Sequence, residues 1–161
     1  MSNLTKQLKR LDVSKLKLKG GKTVESELKQ HANILADCIM EALDDVYESY
    51  SPKVYQRSYG LYNSLYIDDI VRVDVSTKGA SLTIGLHFNE GAIHQSFSGE
   101  DVNTAVLLNE GWQTHGSFSH FPYLGYREGT HFIEKGIEKY KRKVSNPFKV
   151  RFTINDDIRE F

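Results

Sequence analysis

The residues of this chain best suited to chemistry are histidines and carboxylates in its second half. Five of the six histidines lie between positions 87 and 131 with glutamates among them: His87, His94, His115, His120, His131, Glu90, Glu110 and Glu128. Imidazole and carboxylate groups are suitable zinc ligands. No His-Glu-x-x-His pattern and no cysteine pair is present, so the spacing fixes no metal geometry. Two interpretations remain, a metal site or polar loop histidines, and we predict no metal and no other cofactor.

Other kinds of catalysis lack their sequence patterns. The serines near the histidines are not in a Gly-x-Ser-x-Gly turn, and the single Cys38 lies on a helical stripe, where a small buried hydrophobe is expected. Gly129-Thr130 could offer backbone N–H groups to an anion, but the lysine and further glycines of a phosphate-binding loop are missing. We therefore predict no catalytic residue and expect that the protein is not an enzyme.

The formal net charge of zero hides an uneven distribution. Residues 1–22 contain seven basic and one acidic residue, whereas residues 23–50 contain one basic and seven acidic residues. Such blocks could serve head-to-tail self-association or could be solvated faces. For residues 1–22 we favour a flexible basic arm. A basic stretch at 135–143 could contact DNA backbone or complement a helix dipole, and no stretch has the length of a membrane span.

Hydrophobic periodicity predicts a domain over residues 23–161 with two helices and an antiparallel sheet. A stripe at helical spacing predicts a helix from Thr23 to Ser49, and a shorter one predicts a second helix from Phe132 to about Val144. Period-two alternation predicts a hairpin over residues 71–88 and a last strand over 148–154. We expect an α+β, two-layer sandwich in which one long and one shorter helix cover an antiparallel sheet of three to five strands.

Residues 89–128 show no clear periodicity and form the expected long, aromatic-rich loop of this domain. They contain six aromatic residues, namely Phe97, Trp112, Phe118, Phe121, Tyr123 and Tyr126. Disordered linkers contain few aromatic residues, so simple disorder is not expected. Two interpretations stay open. The aromatic side chains pack on the domain's own core, through a further short strand around Thr104 to Leu108, or they form a surface for a partner.

Three short motifs are similar to those of a known protein family. The first follows the long helix and comprises Tyr55, Arg57, Gly60, Leu61 and Ser64; the second is Glu110-Gly111-Trp112; the third is Gly129-Thr130 followed by Phe132. Together they resemble the tail-completion proteins of long-tailed bacteriophages, also called neck or head-to-tail joining proteins, of the minor tail component type. In that family a Tyr-x-Arg-Thr-Gly-x-Leu-x-x-Ser element follows a long helix. Ser58-Tyr59 replaces the Thr-Gly step in this chain.

The resemblance implies a structural virion protein assembled in the bacterial host cytoplasm. Copies would form a ring, which we expect to be a hexamer in the virion, whereas the isolated chain is expected to be a monomer. The ring would join the phage connector, with its adaptor or stopper proteins, to the tail tube or tail terminator protein. The genome would pass through without sequence-specific binding, and no membrane would be involved. A small metal-dependent or nucleic-acid-binding or processing protein remains the alternative.

Overall fold

The computed structural model describes residues 15–49, 59–76, 79–95, 99–113, 126–154 and 157–161. Helix α1 is Val24–Ser49, α2 is Thr104–Glu110 and α3 is Phe132–Lys143. The described strands are β1 Leu65–Ile67, β2 Arg72–Ser76, β3 Gly79–Thr83, β4 Leu86–Phe88, β5 Ile93–Gln95, β6 Asp101–Asn103, β7 Gly111–Gln113, β8 Tyr126–Glu128, β9 Arg151–Ile154 and β10 Asp157–Glu160. The predicted α+β class with antiparallel strands is confirmed.

Helix α1 begins where the sequence predicts, because the Thr23 hydroxyl accepts a hydrogen bond from Ser26 N at 3.1 Å. Its apolar stripe is buried from Leu28 to Leu43. Cys38 lies on this stripe and is fully buried, which raises the pKa of its thiol and disfavours the reactive thiolate. None of the helices in the described ranges combines the length and apolar character needed to span a bilayer.

Helices α1 and α3 pack directly against each other. Gly136 of α3 lies against Ile39 of α1 so closely that an added Cβ would stand 2.6 Å from the Ile39 Cα. Lys139 and Lys143 of α3 form ion pairs with Asp45 at 2.7 Å and Glu41 at 3.1 Å. The acidic block of residues 23–50 is therefore partly neutralised within the chain.

A buried tyrosine joins the same two helices. Tyr140 of α3 is 1% exposed, and its hydroxyl lies 2.7 Å from His31 Nδ1 of α1. The hydroxyl also accepts a hydrogen bond from Phe148 N at 2.9 Å, which fixes the chain just after α3. The ring of His31 in turn lies edge-on to the ring of Phe148, with centroids 4.5 Å apart.

Within the described residues, the ten strands are hydrogen-bonded in five antiparallel pairs, β1–β4, β2–β3, β5–β6, β7–β8 and β9–β10. The predicted hairpin of residues 71–88 is formed by β2 and β3, but its second strand ends at Thr83. The following strand β4 pairs with β1, with Tyr66 opposite His87. Gly85 separates the two strands, and its carbonyl accepts a hydrogen bond from Asp68 N at 2.8 Å. The last predicted strand, β9, pairs with β10, which the sequence did not predict.

The described parts of residues 89–128 contain regular elements. The short strand considered around Thr104 to Leu108 is instead helix α2, because the Asn103 side chain caps Ala105 N at 2.9 Å and Val106 N at 3.3 Å. Four of the six aromatic residues of this segment, Phe97, Phe118, Phe121 and Tyr123, lie outside the described residues. The other two, Trp112 and Tyr126, lie on strands β7 and β8.

The core lies between the helices and the inner faces of several strand pairs. Its largest fully buried members are Tyr140, Phe132, Leu43 and Ile137. The rings of Phe88 and Phe132 meet edge-on with centroids 6.0 Å apart, which joins β4 to α3. Residues 1–14, the first part of the expected basic arm, lie outside the described residues.

Replacing Gly136 with alanine tests the close helix contact. We expect the free energy of unfolding to fall by about 1–3 kcal/mol, because the new methyl group overlaps the Ile39 backbone and forces the helices apart. The control is Gly20→Ala, where no atom lies within 4 Å of the added Cβ. Urea denaturation followed by circular dichroism measures both. A Gly136→Ala protein as stable as the wild type would contradict the proposed packing.

Candidate functional site

The structure brings together two of the three motifs. Strand β7, which holds Gly111 and Trp112, pairs with β8 in the register Gly111↔Glu128 and Trp112↔Arg127. Gly111 has a φ of 86°, and an added Cβ would stand 2.6 Å from Gly129 N. Gly129 is crowded in the same way by the backbone of Asn109 and Glu110. Glycine is therefore required at both motif positions by the close approach of two backbone segments.

A buried asparagine locks this junction to helix α3. Asn109 is fully buried, and its Oδ1 accepts a hydrogen bond from Ile133 N at 3.0 Å. Its carbonyl accepts a second bond from His131 N at 3.1 Å. Beside it, the Leu108 carbonyl accepts hydrogen bonds from Thr130 N at 2.9 Å and from the Thr130 hydroxyl at 2.8 Å. The two hydrogen bonds of the motif residue Thr130 thus hold the start of α3 against the end of α2.

Arg159 of β10 connects the C-terminal hairpin to the same junction. Its guanidinium donates to both carboxylate oxygens of Glu110, at 2.9 and 2.7 Å, and to Glu134 Oε1 at 2.7 Å. The Asn109 amide also donates to Glu110 Oε1 at 2.7 Å. Hydrogen bonds from Arg159 hold the pKa of Glu110 below its usual value, and Glu110 raises the pKa of Arg159. The motif residue Glu110 is therefore an ionised structural partner.

The same cluster contains two of the candidate metal ligands considered from the sequence, Glu110 and His131, together with Glu134, which the sequence analysis did not consider. Single ligand atoms of Glu110, His131 and Glu134 lie within 4.8 Å of one another. The Arg159 guanidinium donates to both glutamates of this set, so a cation is already part of the cluster. A metal ion would have to displace it. The described residues thus arrange these groups as an ion-pair network, with one buried oxygen, Glu134 Oε2, lacking a hydrogen-bond partner among them.

Trp112 and Phe132 have different surroundings. Trp112 is half-buried. The Arg127 guanidinium lies over the Trp112 ring, with its Cζ 4.9 Å from the ring centroid, in a cation–π contact across the β7–β8 pair. Phe132 is fully buried in the core. Phe132 therefore stabilises the fold, and Trp112 keeps part of its ring at the surface.

The post-helix motif lies at a different place on the domain. Leu61 is 5% exposed and Ser64 is fully buried, with its hydroxyl donating to the Leu61 carbonyl at 2.7 Å. The Ser64 carbonyl accepts a hydrogen bond from Asn89 N at 2.8 Å, and Gly60 lies against Gly91. These motif residues form a buried turn. Tyr55 and Arg57 lie outside the described residues.

Tyr59 has the backbone conformation that glycine favours. Its φ is 55°, in the left-handed region, and it occupies the place of the glycine in the family element. Its ring is 52% exposed and lies edge-on to the rings of Tyr47, at 6.2 Å, and Tyr62, at 6.5 Å. Position 59 therefore has a left-handed backbone although its side chain is an exposed tyrosine.

This turn and the chain that follows it carry unusually many exposed apolar side chains. Ten large hydrophobic side chains are exposed in the described residues, and five of them lie within residues 59–73, namely Tyr59 at 52%, Tyr62 at 36%, Tyr66 at 47%, Ile70 at 75% and Val73 at 40%. We call residues 59–74 the exposed segment. Isolated exposed apolar residues are normal, whereas a concentration of them indicates an interaction surface.

Sequence reasoning missed the residues that organise the junction. Asn109 directly precedes the Glu110-Gly111 pair of the second motif. Its role as the cap of α3 could not be predicted without the position of that helix. Arg159 and Glu134 lie on elements remote in sequence, and no local pattern marks their pairing with Glu110. Comparison with family models, with curated proteins and with solved structures gave no match.

Removing the Arg159 side-chain charge tests the ion-pair network. We expect Arg159→Met to lower the free energy of unfolding at neutral pH by about 2 kcal/mol, since two partly buried carboxylates lose their partner. The control is Arg72→Met, because Arg72 is 74% exposed and its pair with Asp68 is 3.6 Å long. Denaturant titration of both variants measures the difference, and equal losses would contradict the network.

The same variant changes the acid dependence of stability. The folded-state pKa of Glu110 is lower than its ordinary value of 4.5. The ionised Glu110 therefore adds to the free energy of unfolding above pH 4.5, and this contribution is lost as the pH falls through the folded-state pKa. We expect the wild type to lose stability below about pH 4.5 and Arg159→Met to show a shallower decline over this range. Parallel slopes for the two proteins would contradict this assignment.

Two substitutions at one position test the left-handed turn. Both Tyr59→Gly and Tyr59→Ala remove the aromatic ring, but only glycine adopts a φ of 55° without strain. We expect the glycine variant to be more stable than the alanine variant by about 1 kcal/mol. Chemical denaturation of the pair provides the measurement. An alanine variant of equal or greater stability would show that Tyr59 is not held in this conformation.

Proposed function

We propose that this protein is a non-catalytic structural protein of the neck of a long-tailed bacteriophage. Copies assemble into a ring between the phage connector and the tail tube, which completes the joint and leaves a passage for the genome. The proposal takes its function from the resemblance of the three motifs. The arrangement of those motifs and the exposed segment support it.

The observation that carries the proposal is the geometry of the post-helix element. Tyr59 stands where the family element has glycine and keeps the left-handed backbone that glycine allows. Leu61 and Ser64, two positions that match the element, are buried, and Ser64 closes the turn by hydrogen bonding to Leu61. The left-handed backbone at position 59, one of the two positions where Ser58-Tyr59 replaces the Thr-Gly step, is the conformation that a glycine there would adopt without strain, which supports the match of this element.

The exposed segment supports a function by assembly. It places tyrosine, isoleucine and valine side chains at the surface directly after the motif turn. Tyrosine is among the residues enriched in protein interfaces, because its ring combines apolar area with a polar tip. A protein that acts by binding its neighbours needs such a surface.

The ion-pair cluster favours assembly over the metal-dependent alternative. Arg159 donates to two of the three groups that could hold a metal, and Asn109 donates to Glu110 as well. These contacts connect α2, α3 and β10 and give the carboxylates a structural role.

An acidic substitution in the exposed segment tests the proposal. Ile70→Asp replaces a side chain that is 75% exposed, so we expect the isolated protein to fold with unchanged stability. Phages that carry this variant should accumulate unjoined heads and tails in electron micrographs. The matched control is Ile158→Asp, at 59% exposure on β10, which should leave joining intact.

Two results would count against the proposal. One is a normal yield of joined particles from phages that carry Ile70→Asp. The other is a normal yield when the gene is deleted altogether. Differential scanning calorimetry of both purified variants separates an assembly defect from unfolding.

A further inference from the structure

We propose that the subunits join head to tail through two oppositely charged surfaces, a basic turn of residues 15–22 and an acidic surface of residues 66–74 on the next copy. This inference rests on the proposed ring function and specifies its subunit contact. The occupant of each surface is a second copy of this chain.

The basic turn is a defined structure at the start of α1. Leu18 N donates to the Lys22 carbonyl at 2.8 Å, Val24 N donates to the Leu16 carbonyl at 2.9 Å, and Lys17 pairs with Thr23 in an antiparallel bridge. Residues 15–22 contain four lysines and no acidic residue. Leu16 and Leu18 are 46% and 44% exposed. The turn therefore presents leucines alternating with lysines on a hydrogen-bonded scaffold.

The acidic surface has the complementary composition. Residues 66–74 contain three aspartates and one arginine, a net charge of −2. Tyr66, Ile70 and Val73 are exposed among them. A cleft of about 280 Å³ is lined by Asp68, Asp69, Ile70 and Arg72. The exposed Asp69 carboxylate suits a lysine ammonium group, and the exposed Ile70 suits a leucine side chain.

The basic turn and the exposed segment, which contains the acidic surface, start near opposite ends of α1. The basic turn immediately precedes Val24, whereas the exposed segment begins at Tyr59, whose ring contacts Tyr47 near the last turn of the helix. A helix of 26 residues is about 39 Å long at 1.5 Å per residue. Contact between such separated and different patches of successive copies is heterologous, and it closes into a ring when the rotation permits.

Charge complementarity favours a second copy as the occupant. The basic turn of one copy attracts the acidic cleft of another copy. Two basic turns, or two acidic clefts, repel each other, which disfavours a symmetric dimer through either surface. Each surface uses some of its charge within the chain, since Lys22 pairs with Glu27 at 3.7 Å and Asp68 pairs with Arg72 at 3.6 Å and His87 at 3.2 Å. Lys17 and Lys19 of the basic turn and Asp69 of the acidic surface are exposed, where they can act between subunits.

Disulfide trapping tests this contact in the full-length protein. Lys17→Cys and Asp69→Cys place one thiol on each surface, while the native Cys38 is fully buried. After mild oxidation, a mixture of the two single variants should give a band at twice the 18.4 kDa of one chain on a non-reducing gel. The double variant should give a ladder of larger species, and added salt should weaken both. The matched control pairs Asp69→Cys with Lys135→Cys, an exposed lysine of α3, and should give neither product.

The outcomes separate this contact from the neck function. No cross-link in the mixture, or equal trapping with the Lys135→Cys control, overturns the contact. Efficient dimers of either single variant alone indicate a symmetric contact and also overturn it. Trapping that requires another protein of the particle assigns the surfaces to that partner instead of a second copy. If the double variant gives no ladder but phages that carry Ile70→Asp still fail to join heads to tails, only the contact is refuted. If the double variant gives the ladder but those phages join heads to tails normally, the neck function is refuted.

Discussion

The fold depends on one buried amide, the side chain of Asn109. Helix α3 begins after His131, which has a left-handed backbone and provides no side-chain cap. Asn109 supplies the missing cap from another element, because its Oδ1 accepts the hydrogen bond of Ile133 N in the first turn. Its amide nitrogen donates to Glu110, which in turn holds Arg159. One side chain thereby sets the relative positions of α2, α3 and the C-terminal hairpin.

This junction also determines where the surfaces of the domain lie. With the start of α3 fixed, Gly136 meets Ile39 and Tyr140 meets His31, so α3 is clamped along α1. Helix α1 then separates the basic turn at its start from the exposed segment that begins near its end. The motif residues divide accordingly. Gly111, Thr130 and Phe132 build the scaffold, while Tyr59 and Trp112 keep parts of their rings at the surface.

The sequence predicted the elements whose periodicity is local. The bounds of α1 and α3 follow from apolar stripes and from Thr23, and the β2–β3 hairpin follows from alternation around a turn. It did not predict the β1–β4 and β9–β10 pairs, because these depend on breaks such as Gly85 that alternation alone does not locate. Helix α2 was missed since its seven residues are too few for a helical period, and only Asn103 and Gly111 mark its ends. The Arg159 cluster joins residues 25 and 49 positions apart, which no local pattern reveals.

We propose that the protein acts as a subunit of the phage neck and not as a catalyst. Mass spectrometry of purified mature particles, combined with cryo-electron microscopy of the head–tail joint, tests it most directly. The account predicts a fixed number of copies per particle and a ring of density between connector and tail tube that accommodates α1 packed on α3. Joined, infectious particles that lack the protein would contradict the claim.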